Sequence, residues 1–238
     1  MTDITPHQTL AEIVNASPTS ARVLESFGLD YCCGGQRRLD DACSDAGVAA
    51  AGVVDALANL GRDPQPDWAS MSPAELVDHL EAGHHAYLHT ELRRLDALAD
   101  TVVAVHGDRH PELAEVQATY GELRADLEPH LMNEERVLFP KIRQLARASE
   151  LPEFHCGSLQ NPISVMMAEH DRVGELLVTL RVRTNGYRTP DDGCASYRAF
   201  YDGLADLEAD THLHVHKENN VLFPAVVALE QRGPERDR

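Results

Sequence analysis

The stretch HLMNEERVLFP at residues 130–140 recurs as HVHKENNVLFP at 214–224; both read H-x-x-x-E-x-x-V-L-F-P, and the copies stand 84 residues apart. In each copy the histidine and glutamate are four positions apart. That spacing turns a helix through about 400° and sets both side chains on one face, about 6 Å apart along the axis. His85 precedes His130 by 45 residues and His170 precedes His214 by 44. The chain therefore reads as two copies of one helical hairpin, each with a His on its first helix and a His-x-x-x-Glu on its second.

The face that carries these groups is the apolar one. In the second long helix Val116, Tyr120, Leu123, Leu127, His130, Glu134 and Val137 follow helical spacing. Phe200, Leu204, Leu207, Thr211, His214, Glu218 and Val221 do so in the fourth, and Met166, His170, Val173, Leu177 and Leu180 in the third. An unpaired carboxylate or imidazole in such a core costs several kcal/mol. One His–Glu pair could be satisfied by a neighbouring acid. Four His and two Glu converging from four helices point to metal instead.

Six mixed nitrogen and oxygen ligands suit two first-row transition ions sharing carboxylates, iron first and manganese next. The zinc signature HExxH is absent, and the Glu-x-x-His spacing of ferritin-type centres occurs only at Glu81–His84. The ligand on the first helix stays open between neighbours. Leu88, Leu92, Leu95 and Ala99 favour His85, Val77 and Leu80 favour His84, and the repeat spacing selects His85. His79, His84, His89, His212 and His216 are expected at the surface or behind the ligands. Asp126 and Asp210, each four residues before its histidine, either orient ligands, line a polar path or face water.

Helix signals run through the rest of the chain. Short helices are expected over TLAEIV, SPTSARVLESFG (capped by Ser17), LDDACSDAG and VAAAGVVDALANLG, the last ending at Gly61. RDPQPDWAS reads as a linker. Four long helices follow: Ser72 to about Val105, Pro111 to about Arg147, Asn161 to about Arg183 and Pro190 to about Gln231. The expected organisation is all-α: a small helical domain at 1–62, a linker at 63–71 and a four-helix bundle at 72–238.

The formal net charge of −18 repels nucleic-acid phosphates and anionic lipid, so neither is an expected partner. The start MTDITPHQTLAEIV has no secretory pattern and VAAAGVV is too short to span a bilayer, which favours the cytoplasm. Five cysteines, two adjacent, make a poor disulfide framework. Cys32 and Cys33 in YCCGG are too close along the chain for an unstrained disulfide, while Gly34 and Gly35 free the backbone and Arg37 and Arg38 are expected to favour the thiolate. A redox, metal or sulfur-handling pair is one reading; two small buried residues before a helix is the other. Cys43, Cys156 and Cys194 have no ligand spacing.

In order, GLDYCCGGQRRLDDAC, HLMNEERVLFP, AEHD and HVHKENNVLFP resemble the hemerythrin-like iron-sulfur cluster repair proteins (RIC, ScdA or YtfE type) over nearly the whole chain. The resemblance implies a hemerythrin-like bundle holding two non-haem iron ions, with an oxo or hydroxo bridge. Its ligands are then His85, His130, Glu134, His170, His214 and Glu218, with the glutamates bridging; the doubled His84–His85 departs from the family's single histidine. Glu169 matches an acidic position that lines access to the irons. The resemblance further implies repair of iron-sulfur clusters damaged by nitrosative or oxidative stress, through iron delivery or removal of bound nitric oxide. Damaged iron-sulfur proteins are the implied partners and Cys32 and Cys33 are candidate catalytic residues. The alternatives are a nitric oxide reductase, or a hemerythrin-like protein that binds or senses nitric oxide or oxygen. A homodimer is allowed, since nothing in the sequence sets the oligomeric state.

Overall fold

The computed structural model describes residues 4–60 and 68–232. Four short helices open the chain: α1 (Leu10–Ala16), α2 (Ser20–Ser26), α3 (Leu39–Ala46) and α4 (Ala50–Ala58). Thr9 and Glu12 form a reciprocal capping box on α1. Helix α2 starts beyond the expected Ser17 cap, because Ser17 and Pro18 close a preceding turn through bonds from Ser20 and Ala21. Gly47, at φ +69°, ends α3 in the left-handed region that a Cβ disfavours. The expected helix end at Gly61 and linker residues 63–67 lie outside the described residues. Trp68–Ser70 form one 3₁₀ turn with Trp68 buried.

The first bundle helix begins with the anticipated box of Ser72 and Glu75. It comprises α5 (Pro73–Leu80), a π turn (Glu81–His85) and α6 (Ala86–His106). The second comprises α7 (Glu112–Asn133), a π turn (Glu134–Leu138) and α8 (Phe139–Arg147). The third is α9 (Gln160–Arg183). The fourth comprises α10 (Ala195–Lys217), a π turn (Glu218–Leu222) and α11 (Phe223–Arg232). It starts later than the expected Pro190, which instead closes a turn by accepting from Gly193 N–H. Among the described residues there is no strand, and no helix is long and apolar enough to cross a membrane.

Helix α6 packs on α7 and α10, α7 on α9, and α9 on α10, closing the four-helix ring. Its interior splits into two apolar clusters. One, built on Leu88, Leu92, Val116, Leu123, Val173 and Leu204, fills the far end. The other joins Leu76, Leu80, Leu138, Phe139 and Phe223 to Leu10, Leu24, Tyr31 and Leu39 of the N-terminal helices. Between them along every bundle helix lies a layer that neither cluster fills, and the histidines and glutamates of the repeat occupy it.

Two stripe residues depart from the expectation. Val137 is 44% exposed and Val221 only partly buried, while Leu138 and Leu222 are buried. The π turns explain both. Phe139 N–H bonds the Glu134 carbonyl and Phe223 N–H the Glu218 carbonyl, five residues back rather than four. Each extra residue rotates the helix beyond it, turning the valine out and carrying Leu-Phe into the core.

Candidate metal centre

Glu134 and Glu218 head two of the π turns, and both are 0% exposed. Around them the structure gathers two four-residue groups, His85–Glu134–His214–Glu218 and His130–Glu134–His170–Glu218, in each of which one donor atom per residue lies within 4.8 Å of the others. All six expected ligands therefore converge, and each glutamate belongs to both groups. Glu134 Oε2 is 3.5 Å from His85 Nε2 and 3.4 Å from His130 Nε2. Glu218 lies 3.1 Å from His170 Nε2 and 3.2 Å from His214 Nε2.

The tautomers follow from the outer partners. His85 Nδ1 donates to Glu135 at 3.0 Å, His130 Nδ1 to Glu169 at 2.7 Å and His170 Nδ1 to Asn219 at 2.9 Å. Each ring, with Nδ1 turned to its outer partner, presents Nε2 inward, the usual arrangement behind a metal-bound imidazole. The His130 and His170 Nε2 atoms face each other at 3.1 Å. His85 Nε2, His214 Nε2 and all four oxygens of Glu134 and Glu218 have no hydrogen-bond partner. Inward lone pairs and orphaned, fully buried carboxylate oxygens fit a cation and fit little else.

The protonation tendencies agree. Burial, then neighbouring His214, lowers His85 to about 4; burial, then His170, lowers His130 to about 3. Both rings are neutral and ready to coordinate. Burial, then Glu218, pushes Glu134 well above the usual carboxylate range, because two carboxylates in one dry layer repel. Burial also pushes Glu218 upward, but His214 and His170 outweigh it and hold that carboxyl low.

His214 differs from the other three rings. Its Nδ1 has no partner, and the ring lies parallel to His84 with centroids 5.5 Å apart. His84 is itself clamped, donating from Nδ1 to Asp210 at 2.8 Å and accepting from buried Lys217 at 2.7 Å. The choice between His84 and His85 is thereby decided by geometry: the π turn buries both, and only His85 joins the carboxylates. Asp210 orients His84 rather than His214, and Asp126 lies 3.6 Å from Arg172 in a surface cleft of about 290 Å³ lined also by Glu169 and, at its base, by buried His130. His89 donates to Glu135, Lys217 donates to His79, and buried His216 donates to the Tyr31 carbonyl. Sequence reasoning missed Glu135, Asn219 and Lys217. Each stands next to a motif glutamate, which is the signal that could have found the first two.

Cys32 and Cys33 are not part of this gathering. They sit on the loop between α2 and α3, grouped with Asp30. The expectation that Arg37 and Arg38 favour the thiolate fails: Arg37 pairs with Asp45, and Arg38 with Asp40 and His7. The hydrogen bond to Cys33, burial and Asp30 together push the Cys32 thiol well up. The loop is nevertheless tied to the layer. Asn220 donates to the Cys32 carbonyl at 2.9 Å and accepts from Gln36 at 3.1 Å, one residue beyond Asn219 and two beyond Glu218.

Comparison with known proteins agrees with this geometry. A family model described as the hemerythrin HHE cation binding domain matches residues 76–226, and ScdA_N, a domain of unknown function (DUF542), matches residues 6–61. The "Iron-sulfur cluster repair protein YtfE" of Escherichia coli O157:H7 is 34% identical over 225 residues, covering 94% of this chain and 98% of the relative. A "Probable iron-sulfur cluster repair protein" of Haemophilus influenzae is 33% identical over 224 residues, covering 92% and 96%. With its bundle, its buried His/Glu layer and its thiol-bearing N-terminal segment matched along nearly its full length, the chain belongs to the hemerythrin-like iron-sulfur cluster repair family.

Proposed function

We propose that the chain holds two iron ions through His85, His130, Glu134, His170, His214 and Glu218, with both glutamates bridging, and uses them to restore iron-sulfur clusters damaged by nitrosative or oxidative stress. The observation that carries this reading is the pair of fully buried carboxylates shared between two four-residue groups and bonded to nothing else. The names of the relatives supply the client class: damaged iron-sulfur proteins. When bound, a ferrous pair supplies exchangeable iron and a position for a diatomic ligand such as nitric oxide or oxygen.

The chain's own residues do the rest. Glu135, Glu169 and Asn219 hold three imidazoles with Nε2 inward, so the donors are organised before an ion arrives. The apolar clusters on both sides keep bulk water from the layer. Glu169 lines the surface cleft beside His130 together with the Asp126–Arg172 pair. The division into a thiol-bearing segment at 1–62, a linker at 63–71 and a bundle from 72 belongs to the same reading, with Cys32 and Cys33 acting where iron meets the client. Five free cysteines suit a reducing cytoplasm.

The test is recovery of a nitric-oxide-damaged iron-sulfur dehydratase. Iron-loaded protein is expected to restore activity, while the metal-free form and the Glu134→Ala/Glu218→Ala variant are not. Equal recovery with metal-free protein overturns the reading.

A further inference from the structure

The loop Asp30–Gly35 is built around one carboxylate. Asp30 Oδ1 accepts from the N–H groups of Cys32 and Cys33, each at 3.0 Å, and Oδ2 from Gly34 N–H at 3.0 Å. The two glycines are needed for close approach. A Cβ on Gly34 would sit 2.8 Å from the Asp30 carbonyl, and one on Gly35 2.5 Å from the Asn220 side chain. The folding of this loop onto Asp30 brings three ligand atoms together. Cys32 Sγ lies 3.2 Å from Asp30 Oδ1 and 3.9 Å from Cys33 Sγ.

Those separations fit an ion and not a disulfide. Two sulfurs bound tetrahedrally at about 2.3 Å stand ~3.8 Å apart, and a bound sulfur and oxygen ~3.5 Å apart. A disulfide needs ~2.05 Å. Cys32 has a single thiol proton for two neighbours within its reach, Asp30 Oδ1 and Cys33 Sγ. Beyond the thiols opens a cavity of about 620 Å³ between the loop, α2 and α9, with Glu25, Asp171, Glu175 and His212 on its walls. Its one arginine, Arg181, is paired with Glu208 at 3.0 Å. Of its acids, Glu25 already accepts from Tyr31 and His212 and Glu175 pairs with Arg172, so the acidic excess rests on Asp30 and Asp171.

We propose that Asp30, Cys32 and Cys33 form a second cation site, distinct from the His/Glu layer, for a thiophilic divalent first-row ion, with its remaining coordination open to the cavity. Binding is a ligand exchange without electron transfer. Two S–H bonds break, two metal–sulfur bonds form, and two protons leave for solvent. The use of the site rests on the iron-handling reading above: ferrous iron is held here in transit to a client. The site itself does not depend on that reading.

Cobalt(II) titration of reduced, metal-free, full-length protein under anaerobic conditions tests it. The expected result is an intense thiolate-to-cobalt charge-transfer absorption accompanying one ion beyond those of the bundle, with two protons released for that ion. Cys32→Ser/Cys33→Ser is expected to lose the absorption and one ion while keeping the rest. Glu134→Ala/Glu218→Ala is expected to keep the absorption with one ion bound, so failure of the bundle centre and failure of the thiol site give different patterns. Asp30→Asn, which keeps an acceptor for the Cys32 and Cys33 N–H groups and loses the one for Gly34 N–H, is expected to weaken the thiol-site ion about tenfold. No thiolate absorption in the wild type, or an unchanged ion count in the double-serine variant, overturns the proposal.

Discussion

Glu134 and Glu218 each serve both halves of the layer, whereas each histidine serves one. Glu134→Ala or Glu218→Ala is therefore expected to abolish binding of both ions, and His214→Ala to remove one, as counted by metal analysis after gel filtration. In metal-free protein the sign reverses. Glu134→Gln removes a carboxylate that is buried without a partner, and is expected to raise stability by about 1–3 kcal/mol in denaturant melts. Acid sensitivity follows from the same burial. His85, His130 and His216 are held at about 4, 3 and 4 against an ordinary 6.5. Below pH 6.5 the unfolded chain takes up protons that the folded chain refuses, so these groups' contribution is present above 6.5 and lost as pH falls toward 4 and 3. Thermal midpoints of the metal-free protein are expected to drop steeply over that window.

At the scale of elements, the three π turns do the positioning. Each VLFP copy follows its glutamate with a phenylalanine that the extra residue swings against an imidazole: Phe139 lies 5.2 Å from the His85 ring and Phe223 stacks on His170 at 6.1 Å. The prolines at 140 and 224 lack the N–H that would claim the next carbonyl of a regular α-helix, which lowers the cost of the irregular turn. Deleting exposed Arg136 makes Phe139 the fourth residue after Glu134, so regular winding removes the π turn while keeping Phe139, Ile142 and Leu145 on their buried face. Far-UV circular dichroism is expected to stay nearly constant and stability to change by no more than about 1–3 kcal/mol in denaturant melts. Periodicity placed Val137 in the core because it assumes one constant pitch. The competing claims of His84 and His85 were the trace of that same pitch change, read without its cause.

For the whole molecule, the N-terminal helices share an apolar cluster with one end of the bundle, and the thiol loop meets the bundle through Asn220. Gly35→Ala places a methyl group 2.5 Å from that side chain and 2.6 Å from the Tyr31 carbonyl. The loop is expected to lift, with faster thiol labelling of Cys33, a loss of about 1–3 kcal/mol in stability and unchanged metal content in the layer. Reaction with a chromogenic disulfide, alongside metal analysis, measures both.

The sequence by itself determined the four bundle helices, their pairing into two hairpins and five of the six groups of the layer, because a four-residue spacing and a buried stripe are local properties of one helix. The sixth, His85 rather than His84, waited on the packing. Tertiary structure alone decided what holds those groups. His84 meets Asp210 and Lys217, and His85 meets Glu135, across helices that no local spacing relates. It also decided that Asp30 gathers the two thiols and that Asn220 binds their loop to the bundle, since such contacts exist only once the chain has packed.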